Sequence, residues 1–238
     1  MPHTLRSIQV SDEDEATLGM LTGFDLDLAR QVTQTSNRIR GLFTQIHPPL
    51  ERVLGPWLEH DAVLEVLAAW PTPAQLQHAG KARIDAKLKK QGARRRTAWA
   101  GAILDTLDEQ TVVVVGTDAA GLVIPHLARQ MIYLHAQRVD VATHLEAMVE
   151  AHPLYLVLTS MPGVAVKTAA VIIAETSGKP FTSAVALASY AGLAPTTRQS
   201  GTSIKSERVS HSGNKRLKRA LFLSAFASIR FDPTSREY

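Results

Sequence analysis

The sequence predicts a mainly α-helical chain: a helical bundle or coiled-coil region over residues 1–152, then a smaller domain over 153–238 containing a helix-hairpin-helix. Three observations predict it. Apolar residues recur at Leu18, Leu21, Leu28, Val32, Ile39, Leu42 and Ile46, close to a three/four repeat. A second stripe runs through Leu127, Leu134, Val141, Leu145 and Met148. Only one β-branched run, Thr111–Gly116, interrupts the helical pattern.

The first long helix opens at Ser11, whose hydroxyl can cap, followed by Asp12, Glu13, Asp14 and Glu15, which complement the positive end of the helix dipole. Pro48-Pro49 ends it. Pro71-Thr72-Pro73 opens a short helix over 74–78 that Gly80 breaks. Further helices are expected over 81–91 and 94–107. Thr111–Gly116 reads equally as one short strand or as an extended connector, because a lone strand has no partner. The second long helix is expected from near His126 to His152. The two long helices read as scaffolding, paired as an antiparallel coiled coil or set in a bundle.

The 238 residues are 45% hydrophobic and contain no cysteine. Disulfides, thiolate zinc sites, iron–sulfur clusters and cysteine nucleophiles are thereby excluded. The acidic cluster near the start occupies the place where a signal peptide needs an apolar core, so a cytoplasmic protein is expected. The longest uncharged stretch, Pro180–Thr197, contains prolines, a glycine and hydroxyl residues, and no membrane span is expected.

Net charge is +4, unevenly spread. Residues 1–30 carry −4, residues 81–96 carry +7 and residues 196–238 carry +6. Two basic blocks on a balanced chain point to a polyanionic partner, with solvated helix faces as the alternative.

The segment from Leu158 to Glu175 looks like a helix-hairpin-helix, with Pro162-Gly163 as the turn. Backbone N–H groups at the start of its second helix can hold a phosphate oxygen, and Lys167 and Thr168 add charge and a hydroxyl. Such contacts grip a nucleic-acid backbone without reading sequence. Ala165 stands where the usual pattern has a second glycine. A compact apolar helix, Ser183–Gly192, precedes a polar loop over 193–203. The last helix is expected to start at a Ser212 cap, with Lys215, Arg216, Lys218 and Arg219 crowding its first turns. Cations there oppose the helix dipole, a cost that a bound anion would offset.

Three segments in order, SMPGVAVKTAAVIIAE, ASYAGLAPTTRQSGTS and SHSGNKRLKRAL, closely resemble the carboxy-terminal domain of transposases of the "one-ten" insertion-sequence family. The resemblance is specific over residues 154–238, and the preceding helices also look like the connecting region of actinobacterial-type members. It implies a nucleophilic serine in an R/Y-x-S-G loop, matched by Arg198-Gln199-Ser200-Gly201. Arg198, Lys205 and Arg208 are close enough in sequence to stabilise a pentavalent phosphorus. It further implies DNA as partner, a structured bridge (guide) RNA in some members and assembly as a homo-oligomer. The family also needs four acidic residues on a preceding RuvC-type domain that binds a divalent metal such as Mg. No such set is found in this chain, so no cofactor is expected within it, and a fragment or truncated gene is expected.

Only the resemblance selects Ser200. By composition Thr202, Ser203, Ser206 and Ser210 are equal candidates, and a lone serine in a polar loop is more often a turn residue. His126, His135 and His144 are nine apart and alternate across helix faces, which argues against metal ligation. Trp57, Trp70 and Trp99 read as packing residues. No phosphate-binding glycine loop of nucleotide hydrolases occurs. Besides an enzyme, two readings stay open: a non-catalytic nucleic-acid-binding helical module, and a dimerisation remnant that keeps only coiled-coil contacts.

Overall fold

The computed structural model describes residues 13–110, 112–200, 204–208 and 212–237, with 196–200 and 204–208 described by their backbone alone. It is mainly helical. In chain order run α1 (Glu13–Ile46), α2 (Pro48–Leu54), a single 3-10 turn (Gly55–Trp57), α3 (Asp61–Ala69), α4 (Pro73–Lys90), α5 (Arg96–Leu107) and α6 (Thr117–Glu150). Then come α7 (Tyr155–Thr159), α8 (Val166–Thr176), α9 (Ala184–Tyr190), β1 (Thr196–Ser200), β2 (Ile204–Arg208), α10 (Lys215–Phe231) and α11 (Pro233–Arg236). Two compact units result. One is Leu26–Val139; the other joins the described residues up to Asp25 with those from Asp140 onward.

The Leu26–Val139 unit is a helical bundle with one continuous core. Ile39, Phe43 and Ile46 of α1 meet Leu50 and Leu54 of α2, Leu64 and Leu67 of α3, Leu76 and Ile84 of α4, Ile103 of α5 and Ile124 and Met131 of α6. Burying each such side chain stabilises by about 1.5–3 kcal/mol. Thr72 caps α4 in a full capping box: its hydroxyl accepts from Gln75 N–H, and the Gln75 amide oxygen accepts from Thr72 N–H. Gly80, at φ +70°, kinks α4 as its sequence foretold. Ion pairs Lys87–Glu65 at 2.8 Å and Arg96–Asp85 at 3.3 Å tie α4 to its neighbours.

One expectation in this unit needs correction, and one left open between two readings is decided. The long helix α6 starts at Thr117 rather than His126 and continues through Pro125. The proline forfeits one backbone hydrogen bond, a cost of about 3 kcal/mol. Burial of Ala120, Ile124, Leu127 and Ala128 on the same stretch outweighs it. Gly121 lies so near Thr72 that a Cβ would come within 2.7 Å of its methyl group. Val112–Val114 form an extended connector rather than a strand, and their side chains are exposed.

Trp99 is buried and stacks on Trp57 with ring centres 5.2 Å apart, yet its indole N–H has no acceptor among the described residues. A buried unpaired donor costs about 1–3 kcal/mol. Trp99→Phe is therefore expected to keep the midpoint of thermal unfolding or raise it, whereas Trp99→Ala loses about 3–5 kcal/mol through the cavity it leaves. A Phe variant as unstable as the Ala variant would show that the indole is paired.

The second unit packs α8 against α10. Ala169, Ala170 and Ile173 meet Leu217 and Ala220, and Leu158 of α7 joins them. Residues 193–203, expected as a polar loop, contain a strand: β1 pairs antiparallel with β2, from Thr196 opposite Arg208 to Ser200 opposite Ile204. Thr196 and Thr197 supply the β-branched preference that the polar composition concealed. Ser212 is not the cap of α10. Asn214 is, its side-chain oxygen accepting from the N–H groups of Arg216 and Leu217, because Gly213 at φ +95° turns the chain between them. Asp232 caps α11, and its hydrogen bonds with Ser235 hold its carboxyl below the usual carboxylate range. That contribution exists above the ordinary carboxylate pKa and vanishes as pH falls through the lowered value.

Candidate nucleic-acid interface

The turn after α7 places Gly163 at φ +78°, where only glycine is unstrained. The glycine also serves packing. A Cβ there would collide with the Ser224 carbonyl oxygen and come within 2.9 Å of Ser228 N. The turn thus sits directly on the α10 backbone, and the buried serines 224 and 228 leave it room. Ala165, standing where the usual pattern has glycine, adopts φ −102°, so no left-handed conformation is asked of it. It offers no side-chain cap, leaving the first N–H groups of α8 open. Lys167 and Thr168 fall in that first turn. Lys167 is exposed, with its ammonium 3.6 Å from the Asp25 carboxylate, and Thr168 is half-buried.

The start of α10 is held by a polar knot. The Asn214 amide donates to Glu175 Oε2 at 2.5 Å and to the Tyr190 hydroxyl at 3.0 Å. Its backbone N–H donates to the Tyr190 carbonyl at 2.8 Å. Arg216 lies 3.4 Å from Glu175 Oε1, and Lys218 donates to the Gly192 carbonyl at 2.8 Å. The four basic residues expected to face an anion therefore divide into two pairs. Arg216 and Lys218 are tied to the protein, and these contacts offset much of the dipole cost that suggested a ligand. Lys215 and Arg219, one turn apart, are exposed and make no ion pair among the described residues.

Sequence reasoning missed Glu175, Tyr190 and Asn214 as the joints of this arrangement. A signal existed, since Glu175 is the single acid between Leu154 and Ser206.

The β1–β2 hairpin grows from the same knot. Its two ends meet at Gly192, φ +72°, and Gly213; a Cβ on Gly213 would lie 2.6 Å from Gly192 N. Ser200 is the last residue of β1, roughly 13 Å along the strand from Thr196 at ~3.3 Å per residue. In the pairing register Arg198 is opposite Ser206 and Lys205 opposite Gln199. The strand alternation sets Arg198, Ser200 and Arg208 on one face of the ribbon and Lys205 on the other. Gly201 and the rival hydroxyls of Thr202, Ser203 and Ser210 lie outside the described residues.

Among the described residues no group of three or more His, Asp or Glu side chains is placed to hold a metal ion. No described helix is long and apolar enough to cross a membrane.

Comparison with known proteins bears directly on this part of the chain. Residues 155–238 match the model of the transposase IS116/IS110/IS902 family. Over its whole length the chain is 52% identical to a 43.6 kDa protein of insertion element IS110 from Streptomyces coelicolor. It is 33% identical to a 42 kDa protein of insertion element IS900 from Mycobacterium paratuberculosis. The chain spans 59% and 60% of the length of these two relatives. A stretch of 70 residues is 47% identical to the pilin gene-inverting protein of Moraxella bovis, covering 29% of this chain and 22% of that one. The family match thus falls on residues 155–238, in which the hairpin and the capped basic helix lie, and there the chain is similar to the transposase IS116/IS110/IS902 family.

Proposed function

We propose that this chain is the strand-exchanging part of an insertion-element transposase, with DNA as its substrate and Ser200 as its nucleophile. The observation that carries the reading is the family match over residues 155–238, which includes Arg198-Gln199-Ser200-Gly201, the first three of these on β1. Attack of the Ser200 hydroxyl on a phosphodiester forms an Oγ–P bond and breaks the bond from phosphorus to one sugar oxygen. The serine proton ends on that departing oxygen. The phosphoserine link conserves the energy of the broken bond, so a sugar hydroxyl can attack it, reseal a strand and regenerate the serine without ATP.

Among the described residues no cluster of three or more His, Asp or Glu side chains is placed to hold a metal ion. In this proposal the divalent metal of the complete family protein is bound outside them. A guide RNA and a second copy of the chain are further parts of the proposal, supported by the resemblance, and a cytoplasmic setting is supported by the lack of cysteine and the acidic residues near the start.

Lys215 and Arg219 are assigned to the DNA backbone, and Arg198 and Arg208 to the phosphate under attack. Lys215→Ala with Arg219→Ala is expected to weaken DNA binding without loss of fold. The logarithmic dependence of affinity on salt should fall by about two, one unit per lost phosphate contact. An unchanged salt slope would remove these two residues from the interface.

The decisive test uses this chain joined to the part of the Streptomyces coelicolor relative outside the matched region, with DNA carrying element ends. Ser200→Ala is expected to abolish covalent protein–DNA adducts while DNA binding persists. Arg198→Ala should lower adduct formation by about 100-fold, the usual effect of losing one donor to a developing charge. Lys205→Ala, on the other face of the ribbon, should lower it far less. Adducts that persist in Ser200→Ala would place the nucleophile elsewhere. Salt-dependent binding with no adduct from the parent protein would leave the non-catalytic binding module as the correct reading.

A further inference from the structure

The Leu26–Val139 unit contains an open cleft of about 580 Å³, within the range of small-ligand sites. One wall is aromatic. Trp57 is half-buried and stacks on the buried Trp99 at 24° between planes, and His60 tilts against Trp99 with ring centres 5.0 Å apart. Trp99 thereby fixes the plane of Trp57 in the cleft wall.

A second wall is basic. Arg94 and Arg95 line the cleft just before α5, are exposed, and make no ion pair among the described residues. The neighbouring charges of this block are already taken, Arg96 by Asp85 and Lys87 by Glu65. Helix α5 has no side-chain cap and no acid in its first turn, so three successive arginines stand at the positive end of a helix with open N–H groups. The Asp85 carboxylate, accepting from Arg96 and from the Thr97 hydroxyl, meets part of that positive charge, and Arg94 and Arg95 leave the remainder for a further anion. The third wall carries Glu59 and the Asp61–His135 pair, at 2.6 Å, a polar edge beside the rings.

Aromatic wall, anion seat and polar edge in one cleft match the stacking face, the phosphate and the hydrogen-bonding edge of a nucleotide. We propose that this cleft binds an unpaired nucleotide of a single-stranded nucleic acid. The base stacks on Trp57, its phosphate meets Arg94, Arg95 and the start of α5, and its edge faces the Asp61–His135 pair. A paired base could not enter, so the site selects single strands over duplex. This inference goes beyond the proposed transposase reading and does not rest on it, since the cleft lies in the other unit.

The test follows tryptophan fluorescence of the 238-residue chain, carrying Trp70→Phe to remove the third indole, during titration with oligothymidylate, oligouridylate and a duplex. Either single strand should quench the signal saturably, and the stronger of the two tells whether DNA or RNA is the source. Duplex should leave the signal unchanged even where it binds. Trp57→Leu should abolish quenching and weaken single-strand binding about tenfold, with Trp57→Phe restoring affinity. The Arg94→Ala, Arg95→Ala double variant, altered only at exposed positions, should retain its fold and lower the logarithmic salt slope by about 1.4. Unchanged fluorescence at saturating single strand, or parental affinity in the double-arginine variant, would overturn the proposal.

Discussion

Gly163→Ala is expected to detach the α7–α8 turn from α10 and to destabilise its unit by about 3 kcal/mol or more. Two costs add. A Cβ at φ +78° is strained by about 1–2 kcal/mol. The same Cβ collides with the Ser224 carbonyl, and backbone shifts forced by overpacking cost about 1–3 kcal/mol. Because the obstacle is helix backbone rather than a flexible side chain, little can give way. Chemical denaturation of the variant measures the loss. The sequence reading places this glycine in the turn that presents phosphate-binding N–H groups, and the structure gives it a packing role as well. The two roles separate experimentally, because Lys167→Ala should weaken DNA binding without moving stability while Gly163→Ala should move stability first. A Gly163→Ala variant of parental stability would mean that the turn does not rest on α10.

The second large effect is expected at Asn214. Asn214→Ala removes the cap of α10, worth about 1 kcal/mol. It also strips one hydrogen bond each from Glu175 and Tyr190, and a part-buried carboxylate that loses its short contact and keeps only Arg216 at 3.4 Å costs a further ~1–3 kcal/mol. Asn214→Asp isolates the second term. It keeps the capping oxygen, and its charge suits the helix dipole, but it sets a carboxylate against Glu175 at hydrogen-bonding distance. The Asp variant should therefore be destabilised despite an adequate cap. Glu175→Gln should recover part of the loss in the double variant. If Asn214→Asp matched the parent, capping alone would account for Asn214, and the polar knot would have no energetic role.

Much of the helical framework was legible in the residues. The three/four apolar repeat gave α1, Pro71-Thr72-Pro73 gave the start of α4 and Gly80 its break, because each signal is local and each residue type has one common use there. The misread points all involve tertiary competition. Pro125 reads as a boundary, and only the burial of Ile124 and Leu127 on either side of it lets α6 continue. Ser212 is as good a cap as Asn214 by type. The choice is made by Gly213, whose close approach to Gly192 brings Asn214 to Glu175 and Tyr190, contacts 39 and 24 residues away.

The candidate site was legible in the same uneven way. The basic run of α10 is visible as composition, but composition cannot divide Arg216 and Lys218, occupied within the protein, from Lys215 and Arg219, which face solvent. The hairpin was hidden because Thr196–Ser200 is as polar as a loop. Once paired with Ile204–Arg208, the strand alternation distinguishes Arg198 and Arg208 from Lys205, a distinction no list of charges contains.

The most direct test of the central claim is the identity of the residue that becomes attached to DNA. The joined protein described above, trapped on end-bearing DNA, can be digested with protease and nuclease and the modified peptide sequenced by mass spectrometry. The account predicts a nucleotide remnant on Ser200, within the peptide containing Arg198-Gln199-Ser200-Gly201. A remnant on Thr202, Ser203, Ser206 or Ser210, or DNA cut with no residue modified, would contradict it.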